Sequence, residues 1–129
     1  MISSENNVAA IAAHRFDCAV CGREAGVVQL FGSTPRAEII RLSFTSELTH
    51  RIEAEEFDRI RNVIEAGDVR AIYDFNLEIA SFFCPTCNVC YCGDHWRHWD
   101  VFDDDEDGFF WHDSIRGRCP RGHERMLED

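Results

Sequence analysis

A small α+β domain organised around clustered cysteines is the fold class this sequence predicts, on three observations. Strand-like and helix-like runs share a chain of 129 residues, a length that supports one hydrophobic core rather than two. Seven cysteines, an odd number, occur mostly in closely spaced pairs, which suits metal binding in a reducing compartment better than a disulfide framework. Hydrophobic residues make up 45 %, aromatics 12 % and charges 29 %, ordinary globular proportions that argue against disorder and against membrane-spanning architecture.

Residues 1–14 are small and polar, and are expected to form a flexible N-terminal segment with at most a short helix around Ala9 to Ala13. The apolar run Val8 to Ala13 is too short for a membrane helix or a secretory signal, and Glu5 precedes it, so the expected location is cytoplasmic. Gly26 to Phe31 reads as a strand, Gly32-Ser33-Thr34-Pro35 as a turn, and Ala37 to Phe44 as a second strand. Ile40, Leu42 and Phe44 alternate there with Arg41 and Ser43, the pattern of a half-buried hairpin.

From Ala54 to Ala66 the apolar positions Phe57, Ile60 and Ile64 recur at helical spacing, with Gly67 as the stop. Asp68 then caps a short second helix in which Val69, Ile72 and Phe75 share a face. Leu77 to Phe83 reads as a strand and Asp94 to Val101 as a helix, while Asp103 to Gly108 reads as an exposed acidic loop because adjacent like charges repel.

The chemistry resides in four ligand pairs: Cys18-x2-Cys21, Cys84-x2-Cys87, Cys92-x2-His95 and Cys119-x3-His123. Eight soft or borderline ligands are the number needed by two closed Cys3His zinc sites, so two zinc ions are the expected cofactors. Gly22, Asn88 and Gly93, each following a ligand cysteine, tolerate the left-handed backbone that a tight knuckle requires, and Gly122 lets the chain double back to His123. Cys90 also fits a knuckle with Cys87. Cys92 is preferred because Gly93 follows it, which leaves Cys90 as a small buried hydrophobe. The residues alone leave sequential pairing open, with Cys84, Cys87, Cys92 and His95 around one ion and the two outer pairs around the other.

In this order the pairs resemble the cross-brace zinc modules of the RING-finger and B-box type, with a treble-clef-like fold. The resemblance covers only the ligand segments 18–22, 84–95 and 119–123. It implies that Cys18, Cys21, Cys92 and His95 share one ion, and Cys84, Cys87, Cys119 and His123 the other. Residues 15–129 then form a single zinc-binding domain, with a hairpin and two helices inserted across 23–83. The departures are a spacer of 62 residues after Cys21, a Cys-Cys second pair and a Cys-x3-His close. As a RING-like module the chain would recruit a conjugating-type enzyme of the ubiquitin class, through Val20 and an aromatic such as Trp96 or Trp99.

Charge narrows the function. The formal net charge is −11, and all 13 basic residues are Arg. Six thiolates and two zinc ions move the charge to about −13. Both values disfavour a phosphate-backbone partner, and with it a nucleic-acid-binding zinc finger. Asp103, Asp105, Asp107 and Gly108 match the opening of a calcium loop, but Ser114 stands at the twelfth position where a bidentate Glu is needed. A metal-dependent enzyme would want an open zinc position beside a Glu, and H-x-E joined to P-C-x-x-C does not occur. The expected function is therefore a non-catalytic adaptor for a protein partner, with Trp96, Trp99 and Trp111 as candidate contacts.

Overall fold

A computed structural model describes residues 9–32, 36–104 and 110–129 of the chain. The order is β1 (Ala12–Asp17), β2 (Glu24–Phe31), β3 (Glu38–Ser43), β4 (Glu47–Arg51), α1 (Phe57–Ala66), α2 (Val69–Phe75), β5 (Phe83–Cys84), β6 (Val89–Cys90), β7 (Arg97–Asp104), β8 (Phe110–Arg118) and β9 (Glu124–Glu128). A four-stranded antiparallel sheet takes β1 to β4 in sequence order, a two-stranded ribbon takes β5 and β6, and a three-stranded antiparallel sheet takes β7 to β9. None of the described helices is long and apolar enough to cross a membrane.

The main core lies between the first sheet and the helices. Val28 and Leu30 of β2 and Ile39 of β3 meet Ile60 and Ile64 of α1, Ile72 of α2 and the Ile79 to Phe83 segment. The helix boundaries follow the expected local chemistry. Gly67 ends α1 in the left-handed conformation at φ 67°, and the Asp68 carboxylate accepts a hydrogen bond from the Ala71 N–H at the start of α2. Gly26 is required for a different reason: a Cβ there would overlap the Phe82 ring.

Four expectations are corrected. Ala12 to His14, expected within a flexible or helical terminus, belong to β1, which pairs with β2 from Ala12↔Leu30 to Asp17↔Glu24. The hairpin is accordingly part of a four-stranded sheet, and its second strand has the opposite phase. Ile39 and Arg41 face the core, while Ile40 is half-buried and Leu42 exposed. Leu77 to Phe82 is a series of turns rather than a strand, with only Phe83 and Cys84 paired. Its carbonyls are taken by arginines instead of by a neighbouring strand: Arg125 donates to Leu77 O at 3.0 Å, Ala80 O at 2.9 Å and Phe83 O at 2.7 Å, and Arg41 donates to Glu78 O at 3.2 Å. Finally, the expected helix from Asp94 to Val101 is one tight turn followed by β7, because both His95 N–H and Trp96 N–H bond back to Cys92 O and Arg97 then pairs with Arg118. The acidic loop and calcium-like run fall mostly at residues 105–109, outside the described residues.

Two buried arginines join the halves of the molecule. The Arg41 side chain is fully buried on the apolar face of β3, opposite Val28, yet it reaches Thr45, Ser46 and Ser81 hydroxyls and the Glu128 carboxylate at 2.8 Å. Arg125 stacks over Tyr73 at 5.1 Å while it caps the turn segment, and burial lowers its pKa to about 10, which leaves it charged at neutral pH. Through these contacts β9 is tied to β3 and to the segment leading into the second cysteine pair.

Candidate metal centres

Each ligand pair sits where a strand ends in a tight turn. Cys18 and Cys21 occupy the β1–β2 connection, where Cys18 N–H bonds to Arg23 O at 2.7 Å and Gly22 N–H to Cys18 O at 2.9 Å, with Gly22 at φ 76°. Cys84 and Cys87 lie on the β5–β6 turn, closed by Asn88 N–H to Cys84 O at 2.7 Å with Asn88 at φ 62°. Cys119 and His123 lie on the β8–β9 turn, closed by Cys119 N–H to His123 O and by Gly122 at φ 92°. Backbone N–H groups of Val20, Cys87 and His123 each approach a cysteine sulfur at 3.4 Å, the contacts that stabilise thiolate. Gly93 departs from expectation, since its φ is not positive. It is small because a Cβ would come within 2.6 Å of Phe44 Cβ.

The turns converge into two quartets, Cys18, Cys21, Cys92 and His95 in one, Cys84, Cys87, Cys119 and His123 in the other, with the ligand atoms of each within 4.8 Å of one another. The first pair thus meets the third and the second meets the fourth. In the first quartet Cys21 and Cys92 sulfurs are 3.6 Å apart, and His95 Nδ1 is 3.5 Å from Cys18 and 3.2 Å from Cys92. In the second, Cys87 and Cys119 sulfurs are 3.8 Å apart, and His123 Nδ1 lies 3.2 Å from Cys87, 3.4 Å from Cys119 and 3.8 Å from Cys84. Metal–sulfur bonds of about 2.3 Å in a tetrahedron put ligand atoms about 3.8 Å apart, so the donor set and its spacing fit a four-coordinate metal ion. The sulfur separations are far beyond the ~2.0 Å of a disulfide, and all seven cysteines are free. Two Cys3His clusters that could hold metal ions are therefore a feature of this structure.

The surroundings differ between the ligands. Cys21 is exposed, and its pKa is lowered to about 6, first by the Arg23 backbone N–H and further by the Arg23 side chain. Burial raises Cys84 to about 11 and also raises Cys92. Cys119 is pulled up by burial, but the His123 and Arg121 N–H groups together with the Cys87 and Cys84 side chains give a net lowering. A small second core of Tyr91, Trp96 and Leu127 packs with Cys18, Cys84, Cys92 and Cys119, so the two clusters share one apolar support. Cys90 stands outside both quartets, buried in the main core, with its carbonyl accepting from Ala19 N–H at 2.8 Å and burial raising its thiol to about 12.

The aromatic candidates separate by exposure. Trp96 is 3 % exposed, packs edge-on against Tyr91 and donates from Nε1 to Phe82 O at 3.1 Å, which makes it part of the core. Val20 is 56 % and Trp99 37 % exposed. Trp111 lies in β8, and its side chain, like that of His112, is outside the described residues. His98 rests against the Phe44 ring at 5.1 Å, a packing contact. The residues that sequence reasoning missed are Arg41 and Arg125. Arg41 stands in an alternating strand pattern, where an arginine reads as outward-facing, and Arg125 stands in a run of arginines around the last ligand pair, which reads as a surface feature.

No curated protein and no solved structure matches the chain. A family model covers residues 7–129, nearly its whole length, and the chain belongs to that family, described as a domain of unknown function (DUF8328).

Proposed function

We propose that this chain is a non-catalytic protein-interaction module in which two structural zinc ions, held in the cross-brace order, fix the surface that a partner recognises. The observation that carries this reading is closure. Each quartet supplies four protein ligands, three thiolates and an imidazole, with no carboxylate among its described members. A full tetrahedral shell leaves no position for water or substrate, the arrangement of structural rather than catalytic zinc. The imidazoles present Nδ1 to the sulfurs in both quartets, and the cysteines sit on backbone knuckles. Zinc bound there would contribute folding energy on the order of 10 kcal/mol per site, comparable with the net stability of a domain this size. A preorganised surface then loses little conformational entropy when a partner docks.

Native mass spectrometry of the reduced protein, before and after mild chelation, tests the reading. Two zinc ions that leave together with loss of folding are expected. A single ion, or a second that exchanges without unfolding, would overturn it in favour of an open catalytic or regulatory metal. A RING-like role in conjugation is a second reading, favoured by the exposure of Val20 on the first knuckle and of Trp99 on β7. It requires binding of a conjugating-type enzyme that is lost on Val20→Arg.

A further inference from the structure

The three-stranded sheet has a strongly sided charge distribution. Cross-strand partners fall on one face in alternation: Arg97, Arg118 and Glu124 on one side, His98, Gly117 and Arg125 on the other, then Trp99, Arg116 and Met126 back on the first. Gly117 and Arg125 of the second set face inward, while His98 at the sheet's edge strand is exposed. A Cβ at Gly117 would come within 2.7 Å of Leu127 and 3.1 Å of Trp96, and Arg125 is buried. The outer face therefore carries Arg97, Trp99, Arg116 and Arg118 together.

Arg97 stands directly opposite Arg118, a like-charge pairing that destabilises a sheet unless something anionic offsets it. Glu124 serves Arg118 at 3.2 Å and Arg116 at 3.7 Å. Among the described residues, Arg97 and the exposed Arg121 of the β8–β9 turn have no ion partner. Arg97 and Arg118 also line a groove of about 380 Å³ that runs between the two ligand turns, bordered by Asp94, His95, Pro120 and Gly122. Asp94 is itself engaged by Arg23 at 3.1 Å. Three arginines that share one carboxylate, beside a part-exposed tryptophan, make a locally basic face on a chain of net charge −11, and Arg and Trp are the side chains that dominate binding energy at interfaces.

We propose that this face and groove form the docking surface for a short acidic segment of a protein partner, its carboxylates paired with Arg97 and Arg118 and an apolar residue laid on Trp99. The proposal rests on the adaptor reading and names the chemistry of its partner. A long polyanion is disfavoured because the overall charge of −11 repels it. A short acidic segment is matched to the local arginines, since the carboxylate fits the guanidinium fork.

Fluorescence anisotropy of the zinc-loaded protein with a fluorescein-labelled hexapeptide of four glutamates and two leucines tests this. Saturable binding is expected, weakened about tenfold by Arg97→Gln, Arg118→Gln or Trp99→Ala and unchanged by Arg59→Gln on α1. Circular dichroism and zinc content of each variant show whether it is folded. Absence of saturable binding, or binding indifferent to the face variants, overturns the proposal. Tighter binding of oligothymidylate than of the peptide overturns it in favour of nucleic acid. Concentration-dependent self-association lost in Arg97→Gln overturns it in favour of a second copy. A cellular partner retained equally by wild type and by Arg97→Gln/Arg118→Gln would leave the adaptor reading standing without this face, whereas zinc exchange without unfolding removes the adaptor reading itself.

Discussion

Replacing Glu128 with leucine isolates the contribution of the clasp between β9 and β3. The Arg41 side chain is fully buried and Glu128 is 16 % exposed, with their charged groups 2.8 Å apart. Arg41 also donates from Nη1 to Thr45 Oγ1 at 2.9 Å and Ser81 Oγ at 2.6 Å, and from Nη2 to Ser46 Oγ at 3.2 Å, while its Nε has no partner. The hydroxyls and the Glu78 carbonyl satisfy hydrogen bonds but supply no charge. Removing the carboxylate therefore leaves a desolvated cation offset only by the weaker Coulombic influence of Glu78, a change that costs up to about 3–5 kcal/mol, against about 0–1 kcal/mol for an exposed pair. Urea unfolding of metal-saturated protein at neutral pH reads the difference as a lower midpoint at unchanged slope. Because Arg41→Met removes the stranded charge, the double variant Arg41→Met/Glu128→Leu should be less destabilised than the sum of the two single changes. A Glu128→Leu cost below about 1 kcal/mol, or strict additivity in the double variant, would refute the claim that this pair is a buried clasp.

Three further outcomes are expected. Cys90→Ala should retain the full metal complement by native mass spectrometry, whereas Cys92→Ala loses one ion, since only Cys92 belongs to a quartet. Gly26→Ala should destabilise by about 1–3 kcal/mol in urea, because the added methyl overlaps the Phe82 ring; a neutral effect would show that Phe82 is free to shift. With a net charge of −11, the thermal midpoint of the metal-loaded protein should rise as sodium chloride goes from about 0.05 to 0.5 M, because screening relieves self-repulsion; a fall would point to ion pairs as the dominant electrostatic term.

The helices and the ligand sets were legible because their signals are local. Ile60 and Ile64 fall one turn apart on α1, and the caps at Asp68 and Gly67 act within three or four residues, so tertiary context did not have to arbitrate. Cysteine and histidine at knuckle spacing carry their chemistry with them, as do Gly22, Asn88 and Gly122 at positive φ. Gly93 shows the limit. A glycine after a ligand cysteine can serve conformation or close approach, and the approach of Phe44 from the distant β3–β4 turn decided which. Trp96 shows it again: a tryptophan beside a ligand histidine has the same local signature whether it faces solvent or the Phe82 carbonyl.

What the sequence determined by itself, then, is the inventory: a small α+β chain, the amphipathic α1 and α2, the eight metal-type ligands and their turns. The tertiary structure decided the phase of β3 and the conversion of Leu77 to Phe82 into turns. It also brought the first pair to the third and the second to the fourth, and gathered the arginines on one outer face. A period of two is the same for either face of a strand, so alternation could not tell that Arg41 points inward. That choice depended on hydroxyls from the β3–β4 turn and Ser81 and a carboxylate 87 residues away meeting at one guanidinium. Groups that distant in sequence have no pattern to announce them, and only folding puts them within hydrogen-bonding reach.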